Sequence, residues 1–323
     1  MSRLRVGLLS NPTAALGTAH RVGRQVGHLL RLAGISVVDI SGPSARVARA
    51  RAEEVRDTLT ALVVVGGDGT VSLGAEIVAG TPVRLGIVPA GSGNDFARAL
   101  GLPLNDPEES TRALLHALSR PVVAIDAIEI TAAAGGNAPP HRSIALGNVN
   151  LGFDALVNAR ANTSRRGPTF RYTTAVLREL PAFHPLPYWI EVDGGQRQDL
   201  DATLVTLSNS GFFGGGMNIA PQARLDDGSL ELITLEKVGR AELLRFFPRV
   251  FRGTHTTVDG FTIRPVREVT VGLRHGRAVR SYADGEARSL LPLTARILPG
   301  AVRLLADLSA PSDDADSASE GAP

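Results

Sequence analysis

Two segments of this chain combine small, hydroxyl and acidic residues in a way that suits phosphate chemistry. The first follows the apolar residues Leu62 to Val65 and consists of Gly66, Gly67, Asp68, Gly69, Thr70 and Val71. Its glycines allow a sharp turn and close approach of a ligand. If a helix begins after the turn, its free amide groups and its dipole both favour an anion. The pattern therefore predicts a phosphate site, although an ordinary tight turn can have the same composition.

The second segment, Pro89 to Arg98 (PAGSGNDFAR), follows another apolar strand. Ser92 can donate a hydrogen bond to a phosphate, and Gly93 permits close approach. Asn94 or Asp95 can cap a following helix. A capped strand-to-helix turn is the simpler interpretation of this segment alone, but two such loops about two dozen residues apart favour a nucleotide site.

The composition excludes several classes of chemistry. The chain has no cysteine, which rules out disulfides, thiol nucleophiles and cysteine-bound metals. Lys237 is the single lysine and follows no glycine loop, so neither a P-loop ATPase nor a protein kinase fits. The formal net charge of +2 gives no bulk signal for nucleic acid.

The two loops need strands and helices to position them. Apolar strands alternate with helical segments as far as about residue 121, which predicts a parallel α/β sheet with ligands at the carboxyl ends of its strands. From Val122 onward alternating strands dominate, with helices predicted only at Phe170 to Leu180 and Arg240 to Phe247. This texture predicts a second, mostly antiparallel β domain. Ser309 to Pro323 is small and polar, and we predict a disordered tail.

No apolar run is long enough to span a bilayer, and the N-terminus lacks the apolar core and cleavage site of a signal peptide. We therefore expect a cytoplasmic protein, with peripheral contact at the inner membrane face still open.

Taken together, the motifs resemble the diacylglycerol kinase catalytic-domain family, in particular the soluble bacterial lipid kinases related to sphingosine kinases. The resemblance covers nearly the whole chain and rests on the following segments: Asn11-Pro12, Gly66 to Thr70, Gly91 to Arg98, Gly152 to Ala155, Asn209 to Pro221, Leu225 to Gly228, Asp284 to Glu286 and Leu298 to Gly300. It implies an NAD-kinase-like α/β domain over residues 1–124, a β-sandwich lipid-substrate domain over 125–297, and a segment at about 298–308 that returns to the first domain. ATP would bind in the cleft between the two domains.

The resemblance also implies a set of site residues. Those expected to border the nucleotide are Asn11, Pro12, Thr13, Ser41 (where the family usually has threonine), Gly66, Gly67, Asp68, Gly69, Thr70, Val71, Ser92, Gly93 and Asn94. A structural magnesium site is expected at Leu225 to Gly228, with a carboxylate from Asp227 and backbone carbonyls from Arg224 and Ser229. From spacing alone, a hairpin turn explains that segment better.

The implied chemistry is phosphoryl transfer to a lipid hydroxyl. Asp68 can bind catalytic Mg²⁺, and the Asp284-Gly285-Glu286 motif would supply the base. We favour Glu286 with Asp284 assisting, although the sequence does not separate them. Diacylglycerol is the first candidate acceptor, ahead of ceramide-like and sphingoid lipids.

The sequence gives weaker evidence for the residues that would contact lipid. Arginines alternate with aromatic residues at 165–172 and at 245–264, which suits contact with anionic headgroups but equally suits a core with a solvated face. A homodimer is left open. The competing functions are an NAD kinase, which shares the first glycine motif, and a non-catalytic nucleotide- or lipid-binding module.

Overall fold

The computed structural model describes residues 4–11, 18–104, 106–132, 141–162, 174–176, 178–179, 184–276 and 278–306. The helices are α1 Thr18–Leu32, α2 Ala45–Val55, α3 Asp68–Val78, α4 Asp95–Ala99, α5 Pro107–Ala117, α6 Phe153–Asn162 and α7 Arg240–Phe251. Short 3₁₀ turns occupy Arg56–Thr58 and His255–Thr257. The strands are β1 Arg5–Ser10, β2 Ser36–Asp39, β3 Ala61–Gly66, β4 Arg84–Pro89, β5 Val123–Ala132, β6 His141–Ala145, β7 Asn148–Asn150, β8 Leu186–Val192, β9 Gln198–Ser208, β10 Phe212–Phe213, β11 Met217–Asn218, β12 Leu230–Glu236, β13 Phe261–Val266, β14 Glu268–Leu273, β15 Arg280–Ala283, β16 Glu286–Leu290 and β17 Leu293–Leu304.

The first part of the chain folds as an α/β layer structure. Strands β2, β1, β3 and β4 lie side by side in parallel. Along β3, Leu62 and Val64 pack with α2 and α3, while Val63 and Val65 pack with α1 and α5. Because both faces are covered, the strand is apolar throughout, as its sequence predicted.

The second part is dominated by antiparallel strands, as predicted. Its main path runs β16-β15-β7-β9-β8-β14, and β12 joins β9 and β13. Helices α6 and α7 pack outside β9 and β12, where Phe153 and Phe246 contact Ile233 and its neighbours in one apolar cluster.

Strand β17 joins the two parts, which confirms the predicted return of the C-terminal segment. Its first four residues pair with β14, its whole length follows β5, and its last two residues pair in parallel with β4. The register shifts between Leu298 and Val302, and Gly300 takes a φ of +60° there.

Three local predictions were wrong. Ser143 to Val149 alternates in the sequence and so predicts a single strand, but the structure has two, because the amide groups of Leu146 and Gly147 donate to a side chain instead of a neighbouring strand. Helix α6 was missed, and α7 continues past Pro248 to Phe251, with Val250 buried on its inner face. The helix expected at Phe170 to Leu180 lies largely outside the described residues.

No helix within the described residues has the length and apolar character needed to cross a membrane.

Candidate functional site

A cleft of about 620 Å³ opens between the carboxyl ends of the parallel strands and the second part of the chain. One wall consists of the two glycine loops together with Gly42, Pro43, Ser44 and α2. The opposite wall consists of Asn148 and Asn150 on β7, the loop at Phe212 to Gly215, and the turn at Asp284 to Arg288.

The two glycine loops contact each other directly. The backbone at Gly67 and that at Gly91 approach so closely that a Cβ on Gly91 would lie 2.3 Å from the Gly67 Cα. The Ala90 amide also donates to the Gly66 carbonyl at 2.9 Å. These two glycines are therefore needed for the loops to approach each other. From the sequence alone, the glycines are instead explained by close approach of a ligand.

Asp68 connects the loops through its side chain. Its Oδ1 accepts a hydrogen bond of 3.0 Å from the Phe96 amide, in the first turn of α4. The predicted cap from Asn94 or Asp95 is thus replaced by a carboxylate from the other loop. Asn94 has a φ of +55°, and its side chain instead bonds to the amide and carbonyl of Gly91.

Asp68 belongs to a group of three acidic residues with Asp95 and Asp284. Burial, reinforced by the charge of Asp95, raises the pKa of Asp68 to about 7. Burial also raises the pKa of Asp95, although the amides of Gly215 and Gly216 donate to it at 2.9 and 2.7 Å. The mutual repulsion of these carboxylates adds to the effect of burial and favours the protonated form of Asp68.

Asp284 is held firmly in a turn with a φ of +48°. Its carboxylate accepts hydrogen bonds from the amides of Leu146, Gly147 and Asn148 at 2.8, 2.9 and 3.0 Å. The Ser72 hydroxyl on α3 donates a fourth. Since a carboxylate offers about four acceptor positions, these bonds use its capacity and join the turn to α3.

Glu286 has a different environment two residues later. It is exposed to the cleft and lies over the first turn of α3, where a Cβ on Gly69 would come within 2.5 Å of its Oε1. A side chain at residue 69 would therefore displace this carboxylate from its position over α3. The turn thus combines a fixed carboxylate at Asp284 with an accessible one at Glu286.

Two arginines supply positive charge in the cleft wall. Arg49 on α2 and Arg288 on β16 both pair with Glu76 on α3, the second at 3.2 Å. The Arg288 Nε is buried without a hydrogen-bond partner in the structure. Their pairing with Glu76 fixes both guanidinium groups in the cleft wall, where they could contact an anionic ligand.

Most of the residues predicted to bind the nucleotide line the cleft, and a few lie behind its wall. The cleft wall includes Asn11, Gly67, Asp68, Gly69, Thr70, Ser92 and Gly93. Ser41 instead accepts a hydrogen bond of 2.9 Å from the Ser10 amide, and its neighbours Gly42 to Ser44 line the cleft. Val71 is buried behind the wall. Pro12 and Thr13 lie outside the described residues.

The expected magnesium turn is closed by its own hydrogen bonds. The Asp227 Oδ1 accepts from the amide and hydroxyl of Ser229 at 3.0 and 2.8 Å, while the Arg224 guanidinium pairs with Asp226. Over the described part of the chain, no group of three or more histidine or acidic side chains is arranged to hold a metal. A buried Glu231 Oε2 nearby has no hydrogen-bond partner.

Sequence reasoning missed several residues that position the site. Asn148 was not singled out, and Ser72, Gly215 and Gly216 were included only within longer segments, without the contacts that each makes to an acidic residue of the cleft. Ser72 carried one available signal, because it lies one helical turn after Asp68 and so shares its face. The other partners become neighbours only through the tertiary fold.

Comparisons with known proteins agree with this geometry. Residues 5–127 match the diacylglycerol kinase catalytic domain, and residues 147–306 match the YegS C-terminal NAD kinase beta sandwich-like domain. A diacylglycerol kinase of Mycobacterium tuberculosis is 34% identical over 304 residues, covering 93% of this chain and 94% of the relative. One from Bacillus subtilis is 29% identical over 241 residues, covering 72% of each.

Solved structures show the same fold. A diacylglycerol kinase from Bacillus anthracis superposes with a TM-score of 0.67 at 19% identity, covering 95% of this chain and 98% of that one. Yeast NADH kinase gives a TM-score of 0.54 at 12% identity, covering 94% of this chain and 82% of the other. These likenesses confirm the predicted NAD-kinase-like α/β domain followed by a β-sandwich domain.

Proposed function

Because this chain belongs to the diacylglycerol kinase catalytic-domain family, a family of phosphotransferases with an alcohol acceptor, we propose that it transfers the γ-phosphoryl group of ATP to a lipid hydroxyl. Diacylglycerol is the first candidate acceptor and would yield phosphatidic acid. The observation that carries the proposal is the Asp284–Glu286 turn, which is hydrogen-bonded to α3 and brings Glu286 over Gly69.

The nucleotide half of the cleft is suited to hold phosphates. Helix α3 begins at Asp68, and its first turn lines the cleft, so its dipole favours negative charge there. Ser92 adds a hydroxyl from the second loop, and Arg49 and Arg288 supply positive charge from opposite walls of the cleft. In this proposal backbone amides and arginines do what a lysine does in a P-loop.

Asp284 and Glu286 then take separate roles. Asp284, with its acceptors occupied, positions the turn. Glu286 accepts the proton of the lipid hydroxyl while the hydroxyl oxygen bonds to the γ-phosphorus and ADP leaves. Since the transition state of phosphoryl transfer is loose, a hydrogen-bonding carboxylate is sufficient and full prior deprotonation is unnecessary.

Magnesium fits the acidic residues of the cleft. Asp68 is a buried carboxylate with a raised pKa beside two other carboxylates, and Mg²⁺ usually binds to one or two carboxylates plus substrate phosphates. Bound there, the ion would neutralise phosphate charge. At the separate turn, Asp227 with the carbonyls of Arg224 and Ser229 would hold a structural ion, and the unpartnered Glu231 Oε2 makes that turn a setting for a cation.

The test is incubation of the purified protein with γ-labelled ATP, Mg²⁺ and separate acceptors, followed by mass spectrometry of the products. The acceptors are diacylglycerol, ceramide, a sphingoid base, total lipid extract and NAD. We expect a phosphorylated lipid, and we expect Glu286→Gln to abolish it. Phosphorylation of NAD alone would make the protein an NAD kinase, and no turnover with any acceptor would make it a binding module.

A further inference from the structure

The aromatic and arginine residues between 244 and 264 separate into two groups by burial. Phe246 and Phe261 are buried and pack on the imidazole of His255, with ring centroids 5.6 and 4.9 Å from it. Leu244 and Phe251 instead expose 41% and 40% of their surface. The sequence pattern did not distinguish these phenylalanines, whereas in the structure Phe246 and Phe261 belong to the core and Phe251 lies at the surface.

The two exposed residues of α7 share one side of the helix with a partly buried neighbour. Leu244, Phe247 and Phe251 are spaced i, i+3 and i+7, and Phe247 is half-buried against the core. The ring of Phe247 lies 6.0 Å from that of Phe153 on α6, and one turn further along α6 Leu156 is 40% exposed. We call Leu156, Leu244, Phe247 and Phe251 the α6–α7 face.

Positive charge borders this face. Arg245, Arg249 and Arg252 are exposed on the adjacent side of α7 and at its C-terminal end. None of the three forms an ion pair with any residue that the structure describes. An apolar helix face flanked by unpaired arginines is the pattern of a helix that lies in the interface of an anionic bilayer.

We propose that the α6–α7 face is the surface by which this protein docks on anionic membranes. Anionic headgroups complement the three arginines, which have no ion-pair partner among the described residues. The adjacent Leu and Phe side chains could insert into the apolar part of the bilayer. Helix α6 itself also reaches the cleft, because Asn158 lies in the cleft wall. The functional meaning rests on the proposed lipid kinase activity, since an acceptor embedded in the bilayer must reach that cleft.

The test uses flotation of the full chain, without nucleotide, on vesicles of phosphatidylcholine alone or mixed with phosphatidylglycerol. One variant combines Leu244→Gln and Phe251→Gln, and a second replaces Arg245, Arg249 and Arg252 by Gln. The matched control changes the same residue types on α1, with Leu32→Gln together with Gln at Arg21, Arg24 and Arg31. Circular dichroism and a thermal melt verify folding of each variant.

We expect the arginine variant to lose about a hundredfold in partitioning to mixed vesicles and little on phosphatidylcholine. The apolar variant should lose about tenfold or more on both, because apolar insertion does not depend on headgroup charge. The control should bind as the wild type does. Unchanged partitioning of either α7 variant, or no partitioning of the wild type, would overturn the proposal.

Two further measurements separate this proposal from the proposed function. Light scattering tests whether the face joins two copies of the chain; a dimer that dissociates in the α7 variants without change in vesicle binding would overturn membrane docking.

Turnover is compared on long-chain diacylglycerol in vesicles and on a water-soluble short-chain analogue. We expect the variants to lose activity only in vesicles. Absence of turnover on both acceptors would contradict the kinase proposal while leaving the flotation result intact.

Discussion

The carboxylates of Asp284 and Glu286 lie two residues apart and differ in what surrounds them. Asp284 accepts three backbone amides and the Ser72 hydroxyl, whereas Glu286 faces the cleft. A group whose acceptor positions are filled fixes geometry, and a group that is accessible can exchange a proton. This difference in surroundings separates two roles that the sequence left undivided.

The two roles predict different consequences of substitution. Glu286→Gln should lower kcat by about 10²- to 10⁴-fold, because it removes the proton acceptor but leaves ATP binding and folding intact. Asp284→Asn should also lower kcat with ATP affinity retained, and should in addition lower the free energy of unfolding by about 1–3 kcal/mol, because its amide opposes donors. Steady-state kinetics, nucleotide titration and thermal melts measure these effects. Glu236→Gln, at an exposed strand end, is the control. Wild-type rates in both variants would contradict the assignment.

The raised pKa of Asp68 predicts how stability depends on pH without metal. Because the folded pKa of about 7 exceeds the ordinary aspartate pKa of 3.8 expected in the unfolded chain, the folded state binds a proton more tightly than the unfolded state. The resulting stabilisation is complete below about pH 4 and is lost as pH rises through 7. The free energy of unfolding should therefore fall by up to about 1.4 kcal/mol per pH unit between them.

Denaturant melts across this pH range, in chelator, compare the wild type with Asp68→Asn, whose slope should be smaller. Added Mg²⁺ should stabilise the wild type more at pH 8 than at pH 6, because the ion competes with the proton. Equal slopes in the two proteins would show that Asp68 ionises normally.

At the scale of elements, the site depends on contact between two loops that the sequence presents separately. The carboxylate of Asp68 caps α4 in the other loop, and Gly67 touches Gly91. Each loop therefore fixes the position of the other in the cleft wall.

Gly91→Ala should separate the loops, because its Cβ would lie 2.3 Å from the Gly67 Cα and 2.8 Å from the Asn94 Oδ1. We expect ATP affinity to fall at least about tenfold, as measured by calorimetric titration. The control is Gly80→Ala, which has a φ of +71° and no neighbour within 4 Å. It should cost about 1 kcal/mol of backbone strain and keep the affinity of the wild type. Unchanged affinity in Gly91→Ala would show that the contact is not needed.

Local pattern was sufficient to predict the parallel strands and the position of the glycine loops, because buried strands and turns are encoded over a few residues. It was not sufficient for α6, which begins beside a buried Asp154 that accepts from Thr206 on β9. Nor could it divide β6 from β7, since that break depends on Asp284, more than 130 residues away. Contacts of this range leave no local periodicity to detect.

At the scale of the whole molecule, the two parts share one hydrogen-bonded sheet. Within the described residues fifteen strands are connected, and β17 carries the path from β14 to β4. Asp126 supports the bend in β17 by accepting from the amides of Gly228 and Gly300, each at 2.7 Å. Both parts of the sheet therefore include β17 as a shared strand.

We therefore predict one cooperative unfolding transition instead of two. In Asp126→Asn that transition should shift as a unit, with the free energy of unfolding lower by about 1–3 kcal/mol, because an amide cannot accept from both donors. Scanning calorimetry, comparing calorimetric with van't Hoff enthalpy, measures this. Asp199→Asn at an exposed ion pair should change stability by less than about 1 kcal/mol. Two resolved transitions in either variant or in the wild type would contradict the shared sheet as the unit of folding.

The course of β17 also limits how the cleft can move. Rotating one wall away from the other would break pairs between β17 and β4, or bend the chain at Pro299 and Gly300. The spacing between Glu286 and the start of α3 is thus established when the chain folds and does not await arrival of a substrate. In the proposed reaction, nucleotide and lipid would then exchange through the rim loops, so that entry of reactants and alignment of the catalytic groups would be controlled by separate parts of the protein.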